Sequence, residues 1–130
     1  MRYLRFVISE KSPDSGFRYG FICGAYEVQN RKVLEPFEED RLEEIFAWFN
    51  EHLHIPDRFS RKRNANHRKH HGLSWFKDTA SEHLQLAREV VEILRPHGVV
   101  VDILETERPG FVVYEDEFQV VAEPFADTRA

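Results

Sequence analysis

The sequence has little of what marks several common protein classes. Its single cysteine, Cys23, cannot form a disulfide within the chain, so we expect a protein of the reducing cytoplasm. No apolar run approaches the roughly 20 residues that span a bilayer, and the first ten residues do not form a signal peptide. The sequence also lacks a phosphate-cradling glycine motif, HExxH and paired CxxC. We therefore expect a cytoplasmic protein without a membrane segment, and no cofactor is indicated.

The composition indicates a single domain that spans residues 1–130. The chain is 42% hydrophobic and 13% aromatic, and it contains no linker, repeat or low-complexity tract. A chain of this length buries roughly two-thirds of the surface that its unfolded form exposes, which is enough for a core without a metal or a disulfide. We expect one globular domain with a basic loop at 58–71.

The basic residues are concentrated in that loop. Residues 58–71, RFSRKRNANHRKHH, which we call the basic segment, contain six Lys and Arg, three His and no Asp or Glu. The rest of the chain has 12 Lys and Arg against 23 Asp and Glu. Such a cluster attracts phosphate groups and acidic partners. The alternative is a solvated, disordered loop attracted to the acidic surface of its own chain or of a second copy.

Hydrophobic periodicity predicts the elements of the first two-thirds of the chain. Residues 3–9 alternate like a strand that faces a core. Residues 17–29 fit either a helix or a strand, and we favour a helix. An amphipathic helix is expected from Pro36 to about His52. A second helix is expected to close at residues 95–98.

The second helix has a predicted start signal. Thr79 and Glu82 have the spacing of a capping box, and apolar residues then recur every three or four positions up to Leu94. Ser74 to Lys77 lie just before this helix and are read as its entry.

The last third of the chain predicts a β-meander. Residues 98–105, GVVVDILE, are nearly apolar throughout, which is typical of a central strand. Pro109-Gly110 predicts a turn into a strand at 111–114, and an acidic turn at 115–117 precedes a last strand at 118–122. The predicted fold is α+β, with two or three helices packed on one face of a four-stranded, largely antiparallel sheet.

The candidate binding residues belong to the basic segment and to the aromatic residues that flank it. Single-stranded nucleic acid is typically held by cations that neutralise its backbone and by rings that stack on its bases. Phe59 and Trp75 bracket the cations, and Trp75 has the alternative role of anchoring the following helix in the core. The predicted binding residues are Arg61, Lys62, Arg63, Arg68, Lys69, His70 and Trp75.

The other chemistry-bearing residues predict no metal site and no catalytic residue. The seven histidines, among them His52, His54 and His83, have no strong zinc spacing. Cys23 has no cationic neighbour in sequence, so we expect a buried packing cysteine. The acids at the C-terminal turns are expected to be solvated.

One resemblance supports the fold class. The stretch from GLSWFKDTASEHL through GVVVDILETERPGFVVYEDEFQVVAEPF resembles small bacterial proteins with no assigned activity, which share a Trp-Phe-Lys entry, a helix and a Tyr-Glu-Asp hairpin. The resemblance implies a cytoplasmic bacterial α+β domain, and it implies no functional residue.

Three functional hypotheses follow. The first is a small cytoplasmic binding or regulatory module whose basic segment engages an anionic partner such as nucleic acid. The second is an enzyme on a phosphorylated or nucleotide-like substrate, with His67, His70, His71 or His83 as acid, base or metal ligand. The third is a homo-oligomeric interaction protein whose basic segment binds the acidic surface of another copy. We favour the first, which is not an enzyme.

Overall fold

The computed structural model describes residues 1–56 and 72–130, and it has an α+β architecture. Its elements in chain order are β1 (Tyr3–Lys11), β2 (Arg18–Gly20), α1 (Phe21–Arg31), α2 (Pro36–His52), β3 (Leu73–Lys77), α3 (Ser81–Leu94) with a 3-10 turn at Arg95–His97, β4 (Asp102–Thr106), β5 (Phe111–Glu115) and β6 (Gln119–Glu123). The α+β class is the one that the sequence predicts.

Strand β1 organises the sheet because it is paired along both edges. Tyr3 lies opposite Lys77 of β3 and opposite Thr106 of β4. Val7 lies opposite Gly20 of β2 and also opposite β4. Since a residue has one partner on each edge, β2 and β3 share one edge of β1, and β4 occupies the other. The sheet runs β4-β1-β3-β6-β5, with β2 following β3 along β1, and every pairing is antiparallel.

All three helices contribute to one core on one face of the sheet. Leu4, Phe6 and Ile8 of β1 point to this face because strand side chains alternate. They belong to the same buried cluster as Phe76 of β3 and the apolar stripes of the helices. We call this face the helix face. The opposite face of the sheet, to which Arg5 and Val7 point, is the second face.

Gly24 explains how α1 lies so close to β1. A Cβ atom at this position would be 2.9 Å from Cγ2 of Ile8 and 3.2 Å from Cγ1 of Val99. A side chain would therefore collide with the sheet, and glycine in a helix interior costs only up to about 1 kcal/mol relative to alanine. The ambiguous residues 17–29 contain both predicted structures, since β2 is followed directly by α1.

Helix α2 has the predicted bounds, and α3 differs from its prediction at the start. Pro36 is the first helical residue of α2, where its missing N–H costs nothing. Helix α3 begins at Ser81 after Ala80, without a side-chain cap, so the predicted capping box of Thr79 and Glu82 does not form. Residues 73–77, read as a helix entry, form strand β3 instead.

The predicted C-terminal meander is wrong in one connection. Strands β5 and β6 form the expected hairpin, but β4 pairs with β1 and not with β5. Strand β4 is also an edge strand and not a central one, since it pairs with β1 alone. The apolar run that suggested a central strand comes from Val99 and Val101, which are buried in the core before β4 begins. Within residues 1–56 and 72–130 the sheet has six strands, where four were predicted.

Candidate functional site

A cleft opens where α2 ends, against the turn between β5 and β6. Its volume is about 550 Å³. We call it the His54 cleft, because His54 is its exposed residue closest in sequence to the basic segment. Its lining residues are Asn50, Glu51, His52, Leu53, His54, Tyr114, Asp116, Glu117 and Phe118.

The side-chain amide of Gln119 connects the chain on the two sides of the basic segment. We call residues 52–54, before the segment, the first stem, and residues 73–74, after it, the second stem. Gln119 is 2% exposed, and its Nε2 donates a hydrogen bond of 2.7 Å to the carbonyl oxygen of His54. Its Oε1 accepts a hydrogen bond of 2.9 Å from Oγ of Ser74. His54 precedes the basic segment and Ser74 follows it, so one buried amide binds the chain on both sides of that segment.

His83 fixes the first stem from the side of α3. It is 2% exposed, and its Nε2 lies 2.7 Å from the carbonyl oxygen of His52, so this nitrogen carries the hydrogen. The ring stacks on Phe118 at 4.4 Å and meets Trp48 edge-on at 4.7 Å. Because Nε2 is committed to a backbone carbonyl and the ring is buried, the enzyme hypothesis gains no support from His83.

Asp116 orders the turn that forms the other wall of the cleft. Its carboxylate accepts hydrogen bonds from the backbone N–H of Phe118 at 2.8 Å and of Gln119 at 3.0 Å, and from Oη of Tyr114 at 2.8 Å. Burial raises the pKa of Asp116, but these hydrogen bonds outweigh it and hold the pKa below its usual value. The same contact with Asp116 is the main cause that raises the pKa of Tyr114.

Four rings line the cleft, those of His52, His54, Tyr114 and Phe118. His52 is exposed, stacks on Trp48 at 4.3 Å and has its Nδ1 2.8 Å from the Trp48 carbonyl oxygen. His54 is exposed, and its ring lies 5.7 Å from that of Tyr114. The acids Glu51 and Glu117 are exposed beside them. The cleft therefore offers flat rings and hydrogen-bond acceptors, whereas the Lys and Arg residues are concentrated in the basic segment.

Of the seven predicted binding residues, one, Trp75, lies in the part of the chain that the structure describes. Arg61, Lys62, Arg63, Arg68, Lys69 and His70 lie outside the described residues. Trp75 lies in β3 with 1% of its surface exposed, so its ring presents no face on which a base could stack. Its buried position agrees with the alternative of a packing role, although its side chain points to the second face and not towards the helices.

Cys23 differs from its prediction, since it is exposed in the first turn of α1. Partial burial and the nearby charge of Glu10 raise its pKa, against the opposing influence of Arg5. The thiol is therefore the favoured form at neutral pH, and it lacks the activation that a catalytic cysteine needs. Among residues 1–56 and 72–130, no three His, Cys, Asp or Glu side chains converge in a way that could hold a metal ion.

Sequence reasoning did not identify Gln119 and His83 as partners of the stems. In both cases a polar residue lies within an apolar pattern. Gln119 begins an apolar strand, and His83 lies in the apolar stripe of α3. Buried polar side chains are usually hydrogen-bonded, so a polar residue in an apolar pattern indicates a partner. The identity of that partner depends on tertiary contacts.

Comparison with family models, with curated proteins and with solved structures found no significant match for this chain. Within the part of the chain that the structure describes, no helix is both long and apolar enough to cross a membrane.

Proposed function

We propose that this protein is a small cytoplasmic binding module whose basic segment engages a polyanion, and that this polyanion is single-stranded nucleic acid. The observation that carries the proposal is the way in which the described residues on either side of the segment are held. Its stems at His54 and Ser74 are bound to the same buried amide, beside a cleft that carries exposed rings.

The charge distribution supports a polyanion as the partner. The basic segment has six Lys and Arg and no acid, within a chain whose formal net charge is −5. Cations clustered in this way release counterions from a phosphate backbone, and this release drives binding. The acidic remainder of the chain repels the same backbone, so contact is directed to the segment.

The fixed stems support recognition by a segment of this length. Ordering a loop on binding costs conformational entropy, and restraints that exist before binding reduce that cost. The hydrogen bonds from Gln119 and His83 to the carbonyls of His54 and His52 are such restraints. Together with the bond from Oγ of Ser74 to Gln119, they hold both stems in the free protein, so the stems add little ordering cost on binding.

The His54 cleft supports contact with bases. The rings of His54 and Tyr114 lie next to the first stem, and stacking of a base on a side-chain ring is worth about 1–3 kcal/mol. This pair takes the role that the sequence analysis gave to Trp75. The exposed carboxylates of the cleft can accept hydrogen bonds from the amino groups of bases. A backbone phosphate has no hydrogen-bond donor and cannot make this contact.

Fluorescence anisotropy with labelled single-stranded oligonucleotides tests the proposal. The test variant replaces Arg61, Lys62, Arg63, Arg68 and Lys69 by Gln. The matched control replaces five exposed cations elsewhere by Gln, namely Lys11, Lys32, Arg88, Arg95 and Arg129. We expect five phosphate contacts to weaken wild-type binding about 100-fold between roughly 50 and 200 mM salt, and we expect the test variant to lose this dependence.

Two results would overturn the proposal. One is an absence of binding by the wild-type protein at low salt. The other is equal loss of affinity in the test variant and the matched control, because a general charge effect would then explain the binding. A His54→Ala variant that keeps the salt dependence but binds several-fold more weakly would support the role of the cleft.

A second candidate function is self-association through the basic segment. The 23 acids and 12 bases outside the segment give a second copy the charge that the segment would bind. Light scattering at about 50 and 500 mM salt tests this candidate, since screening weakens contacts between exposed charges. A monomer at both salt concentrations would exclude it.

A further inference from the structure

Two buried N–H donors on the second face have no hydrogen-bond partner. They are Nη1 of Arg5 and Nε1 of Trp75, and they are the buried side-chain atoms of this kind within residues 1–56 and 72–130. Arg5 is 9% exposed and Trp75 is 1% exposed. A buried donor without a partner loses its hydrogen bonds to water without replacement, so folded proteins rarely contain one.

The strand register places these two side chains beside each other. Tyr3 of β1 lies opposite Lys77 of β3, and Leu4 lies opposite Phe76. One position further in this antiparallel register, Arg5 faces Trp75. Directly opposed side chains share one face of the sheet and have Cβ atoms roughly 5 Å apart. The two residues that carry the donors without partners are therefore cross-strand neighbours.

Among residues 1–56 and 72–130 Arg5 has no acidic partner, unlike Arg18 and Lys77 on the same face. Nη2 of Arg18 lies 2.5 Å from Oδ2 of Asp102, and Nζ of Lys77 lies 2.6 Å from Oε2 of Glu115. The contact of Arg5 in the described part of the chain is a neutral one, since its Nη2 donates 2.7 Å to the carbonyl oxygen of Arg18.

The charge of Arg5 remains in place at neutral pH. Burial, together with the positive charge of Arg18, lowers the pKa of Arg5 to about 10. The guanidinium is therefore still protonated at neutral pH, as a buried cation that no carboxylate of residues 1–56 and 72–130 pairs with. Burying a charge is costly unless an opposite charge and hydrogen bonds compensate for it.

We propose that Arg5 and Trp75 form a binding site for an oxyanion, the carboxylate or phosphate group of a small ligand. Arg5 supplies the positive charge and one N–H, and Trp75 supplies a second N–H. Both side chains can donate but not accept, so a ligand atom that satisfies both must be an acceptor. A planar guanidinium matches the geometry of carboxylate and phosphate oxygens. The site uses β1 and β3 and does not depend on the proposed role of the basic segment.

A titration followed by Trp75 fluorescence tests the site. The chain has two tryptophans, so Trp48→Phe leaves Trp75 as the emitting residue. This protein is titrated separately with inorganic phosphate and with acetate, at constant ionic strength and up to about 20 mM, which covers the millimolar Kd of a weak ligand. Saturation by either anion supports the site, and the anion that saturates identifies phosphate or carboxylate as its ligand. Saturation by neither overturns the proposal.

Variants assign the binding to the two donors. In the same background, Arg5→Met is expected to weaken binding about 50-fold, because it removes a charged donor. The control Lys77→Met removes a cation from the same face that already has an acidic partner, and it should change Kd by less than about twofold. Equal Kd values for Arg5→Met and the parent protein would overturn the proposal.

Two conservative variants keep the test decisive if Arg5→Met does not fold. Trp75→Phe, with Trp48 retained and calorimetry as the readout, keeps an aromatic ring and removes the N–H. Arg5→Lys keeps the positive charge and removes the planar guanidinium with its paired N–H donors. Each should bind about five- to tenfold more weakly while its circular dichroism matches that of the parent. Unchanged anion affinity in both variants overturns the proposal. The variant with a neutralised basic segment should bind the anion as tightly as the parent protein.

Discussion

The buried polar groups on the two faces of the sheet differ in how completely they are hydrogen-bonded. On the helix face, the amide of Gln119 has partners for both its nitrogen and its oxygen. On the second face, Arg5 and Trp75 each keep a donor without one. A complete network fixes structure, whereas an incomplete one has binding capacity left for a ligand. The comparison separates a part of the sheet that positions the chain from a part that is suited to bind.

The largest effect is expected from breaking the complete network. Gln119→Leu replaces a buried amide by an apolar side chain and removes its partly buried hydrogen bonds to the His54 carbonyl, to Oγ of Ser74 and to Asp116. We expect the free energy of unfolding to fall by about 3 kcal/mol, measured by urea denaturation. The control Gln85→Leu makes the same substitution at an exposed position of α3 and should change it by less than about 0.5 kcal/mol. Equal effects of the two substitutions would show that the network does not stabilise the fold.

A smaller, pH-dependent effect is expected at Asp116, which belongs to the same network. Its pKa is lower in the folded protein than in the unfolded chain, so its charged form stabilises the fold. That contribution is fully present above the unfolded pKa of roughly 4, and it is lost as the pH falls through the folded pKa. Asp116→Asn should therefore cost about 1 kcal/mol at neutral pH, and the difference from wild type should shrink below about pH 4.

Urea denaturation between pH 7 and pH 2 measures this difference. Glu117→Gln, an exposed neighbour in the same turn, is the control and should follow the wild-type profile. A difference between Asp116→Asn and wild type that stays constant down to pH 2 would show that the charge of Asp116 is not the stabilising feature.

The smallest effect on stability is expected from the incomplete pair. Arg5→Met replaces a buried cation that lacks a carboxylate by an apolar side chain of similar length. Its loss of one hydrogen bond is offset by the removal of a buried charge, so the free energy of unfolding should change by no more than about 0.5 kcal/mol without an anion. Thermal unfolding measures this. A loss as large as that of Gln119→Leu would show that Arg5 is a structural residue and would remove the contrast between the two faces.

The sequence was sufficient for the elements with regular periodicity. The alternation in β1 and the apolar stripe from Pro36 to His52 depend on local spacing, and both predictions are confirmed. The same reasoning failed for residues 98–105. There the apolar run marks buried residues in a connection, Val99 and Val101, while Val100 between them is 65% exposed. Hydrophobicity reports burial, but it does not by itself report which edge of which strand is paired.

The candidate sites were less accessible from the sequence than the fold. The basic segment was identified from charge alone, and its binding role stays a prediction. The role of Gln119 required the spatial proximity of two stems that are far apart in sequence. The pair of Arg5 and Trp75 required the register between β1 and β3, and no local pattern contains that register.

The position of β1 has a consequence for how the protein is made. This strand leaves the ribosome before β3 and β4, which pair with it from positions 73–77 and 102–106. The edges of β1 that pair with β3 and β4 must therefore remain open until most of these residues have been synthesised. Pairing between distant segments is slow and leaves strand edges open to aggregation. We expect nascent chains that stop before β4 to need chaperone protection, and release of the last strands to complete the fold in one late step.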